Sequence, residues 1–199
     1  MITVYICSYM ILAGFFLLEH FVRKGKDTKN MSRTKFDRGS TFYISVVMGI
    51  AFILVPVSPL LNYLNLGMCF RLWLSICGVI LGFIGLLIRY LAFSMLGRFF
   101  TRTLRETEEH TLVDTGLYRY IRHPGYLSDL LIFIGASFGM GNLIAMISVP
   151  VLFIPAYIYR IHTEEKMLID IFGEKYISYQ KRTGRLLPSV SKLMRTSVR

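Results

Sequence analysis

The sequence predicts an all-α, polytopic membrane protein of about five transmembrane helices, the last two forming a C-terminal helical hairpin that leads into a cytoplasmic amphipathic helix. Three observations predict it. Apolar residues make up 54% of the chain and come in blocks close to the ~20 residues that a membrane span needs. The mean hydropathy is +0.52. The 23 lysines and arginines fall almost wholly between alternate blocks. One domain is expected over 1–199, with three spans in 1–97, a loop, hairpin and amphipathic helix in 98–188, and a basic tail in 189–199.

Residues 2–22 form the first apolar block, with Glu19 and His20 near its end, where an interface can solvate them. A loop at 23–38 holds seven basic residues, and a second block at 41–61 ends around Pro56 and Pro59. An uncharged loop at 62–69 leads to Arg71 and a third block that runs to about Leu96. Gly78, Gly82 and Gly85 share a face of that block, which lets another helix approach closely. Arg89, near its inner end, either snorkels to the interface or reaches a polar cavity.

A polar loop at 98–125 follows, and Pro124 bars the helical state for His123 while opening a new helix. Residues 126–140 and 143–159 are short apolar segments around the turn signal Gly139-Met-Gly-Asn142, hence the expected hairpin. Residues 160–182 then read as amphipathic, with Met167, Leu168, Ile171 and Phe172 at helical spacing and Gly173 as an interruption.

Orientation follows from the basic residues. Seven lie in 23–38, five in 98–122 and nine in 160–199, against Arg71 alone on the other side. The N-terminus is therefore expected outside, with both large loops and the C-terminus cytoplasmic. This asymmetry accounts for the net charge of +11 better than nucleic acid does, because no basic surface interleaved with aromatics is present. Cys7, Cys69 and Cys77 give neither a disulfide framework nor a metal-ligand spacing, and no metal is expected. The first block lacks the features of a cleaved leader, and no lipidation box is evident.

The chain is organised around 116–129, where Arg122 and His123 meet the membrane edge, and three polar clusters are expected on one cytoplasmic face. These are His110-Thr-Leu-Val113, Tyr118 with Arg122-His-Pro-Gly-Tyr126, and Arg160-Ile-His-Thr-Glu164-Glu165. Arg160 and Glu164 are four apart and share a helical face, so they are either an ordinary intrahelical pair or charges facing a cavity. Together with Gly116-Leu-Tyr, Phe172-Gly-Glu-Lys-Tyr176 and Thr183-Gly-Arg-Leu-Leu-Pro188, these motifs occur in one order. The series resembles the isoprenylcysteine carboxyl methyltransferase family and its phospholipid methyltransferase relatives over roughly the C-terminal half.

The resemblance implies a membrane enzyme that uses S-adenosylmethionine, held in a cytoplasmic pocket capped by the C-terminal segment. A lipid or prenylated substrate would enter from the bilayer. Carried over to matching positions, the cofactor contacts would be His110, Thr111, Leu112, Val113, Tyr118, His123, Pro124, Gly125, Tyr126 and Glu164. Arg160 matches the family's substrate-contacting arginine, whose planar fork suits a carboxylate. Two departures stand out: Ser128 where many relatives have Gly, and Thr103 where some have a polar amide. Ser128-Asp129 is also similar to a run in the NADPH-dependent sterol reductases of the wider superfamily, and Asp129 is either a substrate contact or, as favoured here, a buried polar partner. A lipid-linked carboxyl methyltransferase is the leading reading. A phospholipid amine methyltransferase or isoprenoid reductase of the same architecture, and a non-catalytic membrane protein, stand behind it.

Overall fold

The computed structural model describes residues 1–23, 39–96 and 112–188. These residues fold into α1 (Ile2–Arg23), α2 (Ser40–Tyr63), α3 (Leu72–Leu96), α4 (Pro124–Gly139), α5 (Leu143–Phe172) and α6 (Glu174–Arg182), with a 3₁₀ turn at Gly116–Arg119. Four of the helices, α1, α2, α3 and α5, are long and apolar enough to cross a membrane. The chain is thus an all-α, multi-pass integral membrane protein with a helical C-terminal region.

The short helix α4 is central to the bundle. At 16 residues α4 spans about 24 Å, less than the ~30 Å of a bilayer's hydrocarbon core. It is packed against α1, α3 and α5, and its Ile132, Phe133 and Ala136 are fully buried. The Phe133 ring meets Phe15 of α1 at 5.3 Å, Phe52 of α2 at 4.9 Å and Phe153 of α5 at 4.9 Å. Apolar burial alone does not drive helices together in lipid, so close packing must contribute. It is closest between α3 and α4. A Cβ on Gly135 would lie 2.5 Å from both the Gly78 carbonyl and the Gly82 nitrogen, and one on Gly85 would strike Ile132. The glycine face of the third block is a backbone-contact surface.

Two polar clusters brace the bundle. At the turn between α4 and α5, the Asn142 amide donates to Asn62 Oδ1 and to the Leu66 carbonyl, both at 2.8 Å. Its oxygen caps α5 by accepting from the Ile144 and Ala145 amides. Asn62 donates in turn to the Met140 carbonyl at 2.9 Å. Deeper in the bundle, Arg89 of α3 donates to Glu19 of α1 and to Asp129 of α4, while the Tyr157 hydroxyl of α5 donates to Asp129 at 2.8 Å. The rings of Phe15 and Phe93 flank the guanidinium at 4.5 and 4.6 Å.

Three expectations are corrected. Glu19 is not solvated at an interface but buried and paired with Arg89. The second apolar helix does not end around its prolines; α2 continues through Pro56 and Pro59 to Tyr63. The expected boundary between Tyr159 and Arg160 does not exist either. α5 is continuous to Phe172, and the chain breaks only at Gly173, which adopts φ +54° before α6 starts.

Candidate active site

The site is built at the N-terminus of α4 and the last turns of α5. Pro124 starts α4, and its ring keeps His123 out of the helix at φ −123°, ψ 59°. The His123 ring is thereby turned onto Tyr126, with which it stacks at 5.5 Å and 12°. Across from them, α5 presents Arg160, Glu164 and Glu165 from successive turns.

Tyr126 joins the opposite charges. Its hydroxyl donates to Glu164 Oε2 at 2.5 Å and accepts from Arg160 Nε at 3.2 Å. His123 Nδ1 lies 3.8 Å from Glu164 Oε2, and its Nε2 lies 3.4 Å from Glu165 Oε1. Arg160 Nη1 donates to the hydroxyls of Ser40 and Thr41 in the first turn of α2, each at 2.8 Å. Arg160 is 4% exposed.

The C-terminal segment closes over this cluster by backbone pairing. Ile121 and Gly184 form a parallel bridge, the Arg122 and His123 amides donate to the carbonyls of Gly184 and Arg185 at 2.9 and 3.1 Å, and the Gly184 amide donates to the Tyr120 carbonyl at 3.0 Å. Side chains reinforce it. Arg122 donates to Glu165 at 2.8 Å and to the carbonyls of Gln180 and Thr183. Arg185 meets the other Glu165 oxygen at 3.0 Å, and the Tyr179 hydroxyl donates to the Tyr118 carbonyl at 2.6 Å. Burial pushes the hydroxyls of Tyr118, Tyr176 and Tyr179 up from their ordinary range, and the carboxylates of Glu165 and Glu164 add to it at Tyr176, as Glu164 does at Tyr118. They are neutral donors at physiological pH.

The structure brings together His123, Pro124, Gly125, Tyr126, Arg160 and Glu164. Tyr118 joins them through the 3₁₀ turn, and Leu112 and Val113 precede that turn as half-buried residues outside any helix. His110, Thr111 and Thr103 lie outside the described residues. Asp129 is the buried partner of Arg89 and Tyr157. Sequence reasoning gave no separate role to Arg122, Glu165 or Arg185, nor any to Ser40 and Thr41. Arg122 and Glu165 stood inside quoted motifs, and the Gly-Arg-Leu-Leu-Pro run carried Arg185. The two hydroxyls on α2 had no signal at all.

Fold and site together define a multi-pass helical membrane protein with a polar cluster at one end of its bundle, covered by residues 183–185. A family model described as "Isoprenylcysteine carboxyl methyltransferase (ICMT) family" matches residues 77–170. Over that segment the chain is similar to the family. It is 31% identical over 120 residues to protein-S-isoprenylcysteine O-methyltransferase of Xenopus laevis, covering 59% of this chain and 42% of that protein. With the B form of Arabidopsis thaliana it shares 32% over 121 residues, covering 60% and 61%. With the Schizosaccharomyces pombe protein it shares 24% over 196 residues, covering 92% and 82%. The chain thus spans about half the length of several curated relatives that it matches. A solved structure of a eukaryotic intramembrane Ras methyltransferase superposes with a TM-score of 0.68 at 21% identity, covering 95% of this chain and 67% of that one, and shows a shared fold.

Proposed function

We propose that this chain is an S-adenosylmethionine-dependent methyltransferase that acts on the carboxylate of an isoprenylcysteine-like, lipid-linked substrate at the membrane. The observation that carries the reading is the Tyr126 bridge. It holds a cation suited to an acid substrate, Arg160, and an anion suited to the cofactor's amino group or ribose, Glu164, one helical turn apart in a chain similar to this family. When bound, the cofactor supplies an electrophilic sulfonium methyl.

The residues present fit such a group. The Tyr176 hydroxyl is buried and meets no hydrogen-bond partner among the described residues, a cost of about 1–3 kcal/mol that a polar ligand would offset. A methyl group added at Gly125 would meet nothing within 4 Å, so the backbone there is open to approach. Glu164 accepts from the cofactor's amino group or ribose. His123 and the backbone from Pro124 to Tyr126 hold its carboxylate, and Leu112 and Val113 flank the adenine. Tyr118 and, by resemblance alone, His110 and Thr111 complete the set. Arg160 holds the acceptor carboxylate, which is ionised at neutral pH, so the chain's task is positioning rather than proton removal. The reductase alternative loses its motive, because Asp129 serves the Arg89 network.

Glu164→Ala and His123→Ala are each expected to weaken S-adenosylhomocysteine binding roughly ten- to hundredfold, as for a lost hydrogen bond to a charged group. Titration calorimetry in detergent, beside an unchanged melting temperature, reads this. Wild-type affinity in both variants removes the two residues from the site, and NADPH binding in place of S-adenosylhomocysteine replaces the reading with the reductase.

The same reading takes α4 as a fifth, short span paired with α5 as a hairpin, wrapped by longer helices that supply its lipid-facing surface. The N-terminus is then outside, and the site and C-terminus are cytoplasmic. In a background lacking Cys7, Cys69 and Cys77, an impermeant thiol reagent applied outside sealed cells should label Asn65→Cys and spare Asp114→Cys. Both positions are exposed at opposite ends of α3. The reverse pattern overturns the orientation.

A further inference from the structure

Two tyrosines of α6 are buried, and they differ in one respect. Tyr176 and Tyr179 are 1% and 3% exposed, and their rings meet at 5.8 Å. The Tyr179 hydroxyl is spent on the Tyr118 carbonyl at 2.6 Å. The Tyr176 hydroxyl is shielded from water and meets no partner among the described residues. Buried hydroxyls are normally bonded, so an orphan of this kind costs free energy and calls for a reason. The residue itself is held in place. Gly173 breaks the chain at φ +54°, and the Tyr176 amide donates to the Gly173 carbonyl at 3.1 Å as α6 begins.

The neighbours of this hydroxyl limit what it can serve. Beyond burial itself, Glu165 and Glu164 are near enough to push it up from its ordinary range. Glu165 is already taken by Arg122 and Arg185. Glu164 holds the Tyr126 hydroxyl and, at 3.8 Å, His123 Nδ1, both on Oε2, so its Oε1 has no donor among the described residues. An unused carboxylate oxygen, which only accepts, therefore stands near an unused phenol, which donates. An anionic ligand group would be repelled by Glu164. An ammonium brings no acceptor for the phenol's proton. A neutral vicinal diol satisfies both, because each of its hydroxyls donates and accepts.

We propose that Tyr176 is a cofactor-binding residue whose hydroxyl donates to the ribose diol of S-adenosylmethionine, beside Glu164, which accepts from that diol. This rests on the reading of the chain as a methyltransferase that uses this cofactor. Tyr176 lies beyond residues 77–170, the segment that the family model matches. Removing its hydroxyl should act with opposite signs on the empty and the loaded protein. Tyr176→Phe keeps the ring and deletes a group that has no partner, so the empty protein should lose no stability. The ligand, in contrast, should lose a bond.

The test uses detergent-purified full-length protein. Melting temperature is measured without ligand, and calorimetry gives affinities for S-adenosylhomocysteine and its 2′-deoxy and 3′-deoxy analogues. Empty Tyr176→Phe should melt at or above wild type and bind S-adenosylhomocysteine about three- to tenfold more weakly, as for one lost neutral hydrogen bond. For one of the two analogues, the affinity lost with the ribose hydroxyl should be smaller in Tyr176→Phe than in wild type, because the two deletions remove the same bond. Wild-type affinity for S-adenosylhomocysteine in Tyr176→Phe overturns the inference and leaves the methyltransferase reading standing. A lower melting temperature of the empty variant shows that the hydroxyl bonds the protein itself and overturns it too. Equal losses in both proteins for both analogues put the contact away from the ribose, which overturns it as well. If the variant does not fold, full affinity of wild type for both deoxy analogues has the same consequence. No S-adenosylhomocysteine binding by wild type removes the cofactor reading and this inference with it.

Discussion

Arg89→Met is expected to destabilise the bundle by about 3–5 kcal/mol, because it leaves two carboxylates buried without their cation. Arg89 is 4% exposed, and Glu19 and Asp129 are 7% exposed. Helices α1, α3 and α4 meet through these two ion pairs, and α5 joins through the Tyr157 hydroxyl on Asp129. Desolvating the three charges has already offset much of their attraction, so the network contributes little beyond a well-packed apolar equivalent. The cost of the single substitution lies in the orphaned acids. Glu19→Gln and Asp129→Asn added to Arg89→Met should therefore recover most of the loss. Thermal unfolding of the three proteins in one detergent checks this. An Arg89→Met variant that melts with wild type removes the network as a tie between helices.

That network also shows what the sequence could and could not convey. The apolar blocks, the turn at Gly139–Asn142 and the helix start at Pro124 were legible because each follows from local composition or backbone restriction. Glu19 was read as interfacial because its partner Arg89 lies 70 residues away, and spacing along one helix says nothing about such a pair. The false boundary before Arg160 has the same origin. Polarity rises there, and in lipid a charge normally marks a helix end. The α5 helix continues because the guanidinium finds Tyr126, Ser40 and Thr41, the last two more than a hundred residues away.

The site divides along the same line. His123, Tyr126, Arg160 and Glu164 stood out because their residue types recur in an ordered series of motifs, and the structure brings them within contact of one another. Glu165 was one residue away yet carried no role of its own. It turns from Glu164 to join Arg122 and Arg185 and so pins the C-terminal segment over the polar cluster. Successive helical residues point about 100° apart, which lets neighbouring acids serve different partners. Which acid faces which partner depends on the path of 183–187, and the sequence does not specify that path locally.

Arg160 carries the second large effect. Arg160→Ala should lower methyl transfer to a carboxylate-bearing prenyl thioether roughly hundredfold or more, as expected when one member of a buried charge pair is truncated. Arg160→Lys keeps the charge, but a single ammonium cannot reproduce a planar group bonded at once to Tyr126, Ser40 and Thr41. It should therefore fall most of the way to the alanine variant, with S-adenosylhomocysteine affinity nearly unchanged because Glu164 and His123 remain. Two rivals predict otherwise. If Arg160 merely steadies Tyr126 and Glu164, the lysine variant is almost silent, and the alanine variant loses cofactor affinity and stability together. If the acceptor is an amine, a cation at this position repels its protonated form, and the lysine substitution matters little. Turnover and cofactor affinity measured on both variants separate the three cases. Full activity in Arg160→Ala would exclude any part for this arginine in holding the acceptor, since no other group described on α5 combines a positive charge with a bond to Tyr126.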